Sequence, residues 1–286
     1  MNKIIIPEAF SNYLLSTTWA IDMEYGMSYM AKVLYSQSLG MRQQQPAPFS
    51  VVGDGGVTQV DSLSSMSSGS MLRLRYSGAM VTDDQVCGQD GIQTLADRMY
   101  NAYSSKNVAG ILLELNSGGG EGLSADIMGE VMADRNKPVV VRTHILGSAA
   151  VKAAVQADEV IASNPNARIG SIGAFFSVNK SFVSWYQENV DDIYATTSQD
   201  KNLEFRSYLE GDKMPMKKLI DKYDSDFKTF VSTHRNLKGS AAAVKETLSG
   251  GMFEATDAKS RGLIDGIGGL SYAVKRLQSH IRNFKS

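Results

Sequence analysis

Short apolar runs recur through the middle of the chain and alternate with longer stretches in which apolar residues return at helical spacing. The apolar runs predict strands near residues 71–76, 109–115, 138–144, 158–162 and 191–196. Strands that alternate with helices form a mostly parallel sheet with helices packed over it. The pattern therefore predicts an α/β fold in which a mostly parallel sheet is flanked by helices.

The two ends of the chain follow different patterns. In residues 9–40, methionines and a leucine return every three or four positions, which predicts a helix with one apolar face. Gln, Pro, Gly and Ser dominate residues 41–70, which predicts a flexible linker that a protease could cut within residues 61–70. We divide the chain into an N-terminal helical extension (1–40), this linker (41–70), a main domain (71–270) and a C-terminal helix (271–286).

Composition narrows the classes of function. The chain has 286 residues, of which 43% are apolar and 21% charged, enough to bury one substantial core. A net charge of −1 argues against nucleic acid or an anionic membrane as a partner. The single cysteine, Cys87, excludes an intrachain disulfide and suits a reducing compartment. Three widely spaced histidines give no metal-ligand cluster, and we expect no metal or other cofactor.

Membrane and export signals are missing from the apolar pattern. No run approaches the roughly 18 apolar residues of a transmembrane helix. Pro7 interrupts the first apolar run, and no cleavage site of small residues follows it. We therefore expect neither a membrane anchor nor a signal peptide.

Three separated segments carry the residue types that serine chemistry needs. Gly118, Gly119 and Gly120 follow a predicted strand, Ser148 precedes an alanine-rich helix, and Lys201 lies much later in a polar loop. A serine hydroxyl needs a base to become a nucleophile, and the oxyanion that forms needs fixed N–H donors.

The glycine turn could supply the oxyanion donors, and the lysine could supply the base. Glycines let a turn bring bare N–H groups close to a carbonyl, and the N–H that follows the serine is a natural second donor. Desolvation lowers the pKa of a lysine amine, which then works as a base. We therefore expect the side chain at position 201 to be buried.

Each residue type also has a simpler interpretation. Alone, Ser148 could cap a helix, and a lysine in a polar loop is usually a surface charge. The glycine turn could bind a phosphate, but it lacks both the Gly-Lys-Ser/Thr ending of a P-loop and the spacing of a dinucleotide fingerprint. His144 lies close enough in sequence to suggest a Ser-His pair, but we expect it at the end of a strand in a structural role. Only the joint order of the segments favours catalysis.

That order resembles the signal peptide peptidase A family of Ser-Lys serine peptidases, in the ClpP/crotonase superfamily. The matching segments are Val108 to Gly120, Lys137 to Val141 with Gly147 to Ala150, Ala157 to Ala162, Ile169 to Gly173, and Gly262 to Gly269. They occur in the family's order and extend through most of residues 71–270. The resemblance implies a ClpP/crotonase-like fold and hydrolysis of peptide bonds.

The resemblance also implies roles for individual residues. Ser148 takes the position of the nucleophile, Lys201 that of the general base, and Ser171 that of a hydroxyl bonded to the lysine amine. The oxyanion donors fall on Gly119, Gly120 and Ala149. Two departures stand out: Gly118 replaces a proline in the glycine turn, and Ala149-Ala150 replace two glycines, which could narrow the cleft or slow the enzyme.

Partners and biological role follow from the same resemblance. It implies peptide or protein substrates and a homo-oligomeric ring in which serine and lysine come from different protomers. The layout of the N-terminal segment is similar to that of bacteriophage head-maturation proteases, which act on capsid and scaffold proteins inside procapsids. The expected location is then the bacterial cytoplasm or a procapsid. The alternatives are a cytoplasmic peptidase for signal peptides, a degenerate assembly or scaffold protein, and an acyl-thioester enzyme, against which the serine and lysine argue.

Overall fold

A seven-stranded sheet lies at the centre of the protein in the computed structural model, which describes residues 19–21, 49–53, 55–84 and 90–284. In spatial order its strands are β12 (Gly266–Ile267), β9 (Glu159–Ala162), β7 (Val139–Thr143), β5 (Val108–Asn116), β4 (Ser70–Ser77), β2 (Phe49–Gly53) and β3 (Gly56–Val60). The five strands from β12 to β4 run parallel, and β2 and β3 continue the sheet as an antiparallel hairpin. The predicted mostly parallel sheet is confirmed.

Helices cover both faces of this sheet. One face packs against α1 (Ile92–Ser104), α2 (Gly122–Ala133) and α3 (Ala149–Ala154), and the core on this side includes Leu113 and Val141. The other face packs against α9 (Leu270–Asn283), with Leu112 and Val140 beneath it. Because both faces are covered, the central strands are almost continuously apolar, which is what made them recognisable in the sequence.

A smaller, three-stranded sheet lies at the edge of this core. It contains β8 (Ile145–Gly147), β10 (Arg168–Gly170) and β11 (Met252–Glu254), in the order β11-β10-β8. The strands β8 and β10 run parallel, with Gly147 opposite Gly170. A further short pair joins β1 (Trp19–Ile21) to β6 (Gly119–Glu121) in antiparallel orientation.

The remaining helices lie in the second half of the main domain. They are α4 (Lys180–Asn189), α5 (Leu203–Leu209), α6 (Met214–His234), α7 (Ala241–Thr247) and α8 (Ala255–Ser260). Neither α4 nor α5 contains a buried residue, whereas α6 buries Phe227 and Val231. Within the described ranges, no helix is long and apolar enough to cross a membrane.

Four of the five predicted strands are confirmed, and the fifth is wrong. Residues 191–196 form no strand, and the side chain of Ile193 is 97% exposed. The apolar residues of this segment follow Asp191 and Asp192, and no neighbouring strand among the described residues offers backbone partners to it. An apolar run does not form a strand when no neighbouring strand is available for its backbone hydrogen bonds.

The predicted flexible linker is also wrong at residues 49–53 and 56–60, which form paired strands. Residues 49–60 form the β2–β3 hairpin, and a short 3-10 helix, Leu63–Ser65, leads to Met66, which is only 5% exposed. Valines in the hairpin favour a pleated strand and outweigh the glycines and serines around them. In residues 61–70 Met66 is buried but most of the other side chains are exposed, so cleavage within this stretch stays a prediction.

The N-terminal helical prediction fails at its one described part. Residues 19–21 form the strand β1, not a helix. The rest of the predicted extension lies outside the described residues, as does Cys87.

The hairpin provides a test of these corrections. Val52 lies under α9 and is 1% exposed, whereas Val57, its cross-strand partner, is 37% exposed. We predict that Val52→Ala lowers the free energy of unfolding by about 2 kcal/mol, because buried methyl groups are lost. Val57→Ala loses only strand propensity and should cost less than about 1 kcal/mol. Urea denaturation of both variants measures the difference. Equal, small losses of unfolding free energy would show that Val52 is not packed under α9 and would support the linker prediction.

Candidate active site

Ser148 lies between the end of β8 and the first residue of α3, in a strained backbone conformation. Its φ is 52° and its ψ is −116°, a region that residues with a side chain rarely occupy. Its N–H donates to the carbonyl of Gly170 at 2.8 Å, which ties the turn to the neighbouring strand β10. Strain of this kind costs about 1–3 kcal/mol and persists only where the surroundings enforce it.

The hydroxyl of Ser148 points to the loop that follows β10. Its Oγ donates to the carbonyl of Gly173 at 3.2 Å, and the residue is only 1% exposed. The loop is held by Asp224 on α6, whose Oδ1 accepts the N–H of Ala174 at 3.2 Å. Sequence reasoning missed Asp224 because only the folded chain brings α6 to this loop.

Ser171 follows β10 as Ser148 follows β8. Because Gly147 and Gly170 face each other across these parallel strands, the two serines leave the sheet side by side. Ser171 also has a positive φ of 52°, and its N–H donates to the carbonyl of Gly251 at 2.7 Å. The structure therefore brings Ser148 and Ser171 to one place.

The glycine turn before β6 docks against β8 through Ser117. The N–H of Ser117 donates to Ile145 O at 2.9 Å, and Gly147 N–H donates to Ser117 O at 2.8 Å. The turn therefore lies directly beside the strand that ends at Ser148. The folded chain thus brings the glycine turn close to Ser148.

Within this turn, Gly119 and Gly120 have different surroundings. The N–H of Gly119 donates to Ser117 Oγ at 3.1 Å, and its φ of 107° favours glycine. That N–H is bonded within the turn, and Gly119 stays a predicted oxyanion donor only if the bond to Ser117 is released. At Gly120 a Cβ atom would overlap with the carbonyl of Met80, so only glycine fits. Gly120 stays a candidate donor.

The two alanines after Ser148 are part of the core. Ala149 and Ala150 are both fully buried and pack in the main apolar cluster. Their methyl groups thus point into the protein interior. Ala149 is also the first residue of α3, where helical N–H groups have no acceptor within the helix. Its N–H stays a candidate oxyanion donor.

Lys201 does not reach Ser148 within the chain. It is exposed, in a turn before α5, and its Nζ has no hydrogen-bond or ion-pair partner among the described residues. The expectation that this side chain is buried is therefore wrong for the single chain, in which Lys201 is exposed. The next residue, Asn202, has a φ of 55°. Among the described residues, the non-glycine positive-φ positions are thus Asn202 and the two site serines.

Two other lysines near the sheet have structural partners. Lys152, one helical turn after Ser148, forms an ion pair with Asp126 and lies 5.4 Å from the ring centres of Tyr223 and Phe230. Lys137 donates to carbonyls at the end of α1, one of them that of Ala102 at 2.7 Å. Burial lowers the pKa of the Lys137 amine. Its position at the end of a helix explains the lysine in the Lys137 to Val141 segment.

His144 has the structural role expected of it. It is exposed and follows β7, and its backbone N–H donates to Asn116 Oδ1 at 2.6 Å. Its Nδ1 lies 3.1 Å from Asn164 Nδ2 and 3.4 Å from Ser163 Oγ. Across the parts of the chain that the structure describes, no group of three or more His, Cys, Asp or Glu residues could hold a metal ion.

Comparison with known proteins gives one family match. Residues 132–282, more than half of the chain, match the model of peptidase family S49. A protein named as a protease from Methanocaldococcus jannaschii is 30% identical over 60% of this chain and 56% of its own length. Protease 4 of Salmonella typhi is 28% identical over 70% of this chain and 32% of its own. The chloroplastic serine protease SPPA of Arabidopsis thaliana is 25% identical over 64% of this chain and 27% of its own.

The chain therefore spans about half or less of the length of these curated relatives. Solved structures also match. A ClpP1 mutant from Listeria monocytogenes gives a TM-score of 0.46 at 13% identity, covering 71% of this chain and 94% of that one. An enoyl-CoA hydratase/isomerase family protein from Silicibacter pomeroyi gives 0.44 at 16% identity, covering 77% and 80%. At TM-scores below 0.5 neither likeness bears on function.

The bond between Ser117 and Gly119 gives a test of the turn. We predict that Ser117→Ala makes the Gly119 amide exchange with solvent deuterium at least about 10-fold faster, because its acceptor is removed. Ser50→Ala is the matched control, a buried serine on β2 whose Oγ contacts Arg73 O. It should leave the Gly119 amide unchanged. Protection of Gly119 that survives in Ser117→Ala would show that another group holds the turn.

Proposed function

Because the chain belongs to peptidase family S49, we propose that it is a serine endopeptidase with Ser148 as the nucleophile. The observation that carries the proposal is the strained backbone of Ser148, at φ 52° and ψ −116°. Strained residues cluster at active sites, where the surrounding fold stabilises an otherwise unfavourable geometry. Here the strain coincides with a glycine turn on one side and a helix N-terminus on the other.

The proposed reaction needs a nucleophile, a general base and oxyanion donors. Ser148 Oγ attacks the peptide carbonyl carbon and gives its proton to a lysine amine. The N–H groups of Gly120 and Ala149 stabilise the oxyanion. The C–N bond then breaks, and the leaving amine takes the proton from the lysine. Water attacks the acyl-enzyme by the same route and restores the Ser148 hydroxyl.

We propose that the general base, Lys201, reaches Ser148 from a neighbouring copy in a homo-oligomeric ring. Lys201 is exposed in the single chain, and the helices on either side of its loop bury no residue. Apolar side chains around that loop are also exposed: Trp185 at 53%, Ile193 at 97% and Leu203 at 39%. Exposed apolar surface of this kind favours association with another protein surface. A ring-closing interface would cover it and bring each lysine to the next serine.

For natural substrates we propose capsid or scaffold proteins, cut in a bacterial cytoplasm or inside a procapsid. The support is the layout of the chain, in which an N-terminal segment precedes the catalytic domain. Signal peptides or other cytoplasmic peptides are the alternative substrate class. A degenerate scaffold is less well supported, because the methyl groups of Ala149 and Ala150 pack in the core.

The nucleophile is tested by substitution. We predict that Ser148→Ala lowers the rate of casein-peptide hydrolysis by at least about 1,000-fold. Its melting temperature should stay unchanged, because the hydroxyl makes one long bond to the Gly173 carbonyl. Ser163→Ala, beside His144 on a neighbouring loop, is the control and should keep full activity. Turnover retained in Ser148→Ala would remove Ser148 from the mechanism.

The origin of the lysine is tested by mixing two inactive variants. Ser148→Ala and Lys201→Ala, coexpressed in equal amounts, should recover about one quarter of wild-type activity, because one junction in four pairs an intact serine with an intact lysine. Differently tagged copies, purified in sequence, confirm that the assemblies are mixed. Mixed assemblies without activity would place the dyad within one chain.

A further inference from the structure

The strand β1 lies against the strand that carries the candidate oxyanion glycine. Its antiparallel register places Trp19 opposite Glu121, Ala20 opposite Gly120 and Ile21 opposite Gly119. Residues 19–21 therefore run alongside the predicted site, although they are distant from it in sequence.

Backbone hydrogen bonds show which side of β6 faces β1. Met80 N–H donates to Gly119 O, and Glu121 N–H donates to Met80 O, both at 2.8 Å. Successive residues of a strand direct their backbone groups to opposite sides. The N–H and C=O of Gly120 therefore face β1, where Ala20 is their partner in the register.

The same edge of β6 is where an extended peptide would present its carbonyl to Ser148. Proteins commonly bind extended peptides by adding them as a strand to such an edge, and main-chain hydrogen bonds supply the affinity. In this structure the edge is taken, Gly118 to Gly120 are buried, and Ser148 is 1% exposed. A nucleophile that is this covered cannot meet a substrate until something moves.

We propose that residues 19–21 are a pseudosubstrate strand, which occupies the peptide-binding edge of β6 and holds the enzyme closed until the strand is displaced. The inference rests on the proposed function, because it takes Gly120 and Ser148 as parts of the catalytic site. The edge binds one chemical class of ligand, an extended peptide in antiparallel orientation. A tethered segment competes at an effective concentration in the millimolar range, so free substrate binds weakly while β1 is docked.

Two proline substitutions separate this role from a general effect on the segment. Ala20→Pro removes the N–H that faces Gly120, whereas Ile21→Pro removes an N–H that faces away from β6. We expect Ala20→Pro to raise kcat/KM for a peptide substrate at least about 10-fold, since the tethered competitor is lost. Ile21→Pro should stay within about 2-fold of wild type. Equal values in all three proteins would overturn the proposal.

A second readout is independent of catalysis. The chain has two tryptophans, so Trp185→Phe leaves Trp19 as the sole fluorophore. With Ser148→Ala also present, Trp19 anisotropy reports whether the segment is held. It should fall in Ala20→Pro and not in Ile21→Pro, and unchanged anisotropy in Ala20→Pro would overturn the proposal. If no protein hydrolyses peptides but the anisotropy falls as expected, the proposed function fails and the docking of β1 stands.

Discussion

The hydrogen bond from the Ser148 N–H to the Gly170 carbonyl joins the ends of two parallel strands, and the arrangement of the candidate site depends on it. It holds Ser148 in a conformation that would otherwise relax, and it sets Ser148 beside Ser171. Ser171 is in turn bonded to Gly251, and the Ser148 hydroxyl to Gly173. A small sheet at the edge of the core thus fixes the geometry of the nucleophile before any substrate or partner is present.

Much of the core could be predicted from the sequence because local pattern and burial agree there. The segment Val108 to Asn116 is almost wholly apolar, and it forms a strand covered on both faces. Ser148 and Gly120 could be singled out as site candidates because turns of this kind need particular residues at particular positions. At Gly120 the carbonyl of Met80 leaves no room for a side chain.

The features that sequence reasoning missed depend on contacts between distant segments. The hairpin β2–β3 has a linker-like composition, but Val52 has a place under α9. The bond from the Gly119 N–H to the Ser117 hydroxyl forms only in the folded turn. Lys201 is exposed because no residue in the described ranges covers its loop. The strand β1 is only three residues long, and no local pattern indicates that it pairs with β6.

Covalent labelling of the nucleophile tests the central claim most directly. A fluorophosphonate reacts with a serine that an enzyme has activated, and peptide mass mapping shows which serine carries the adduct. After prolonged incubation, we expect a single adduct on Ser148 and none on Ser171. An adduct on another serine, or no adduct even when Ala20→Pro has released β1, would contradict the assignment of Ser148 as the nucleophile.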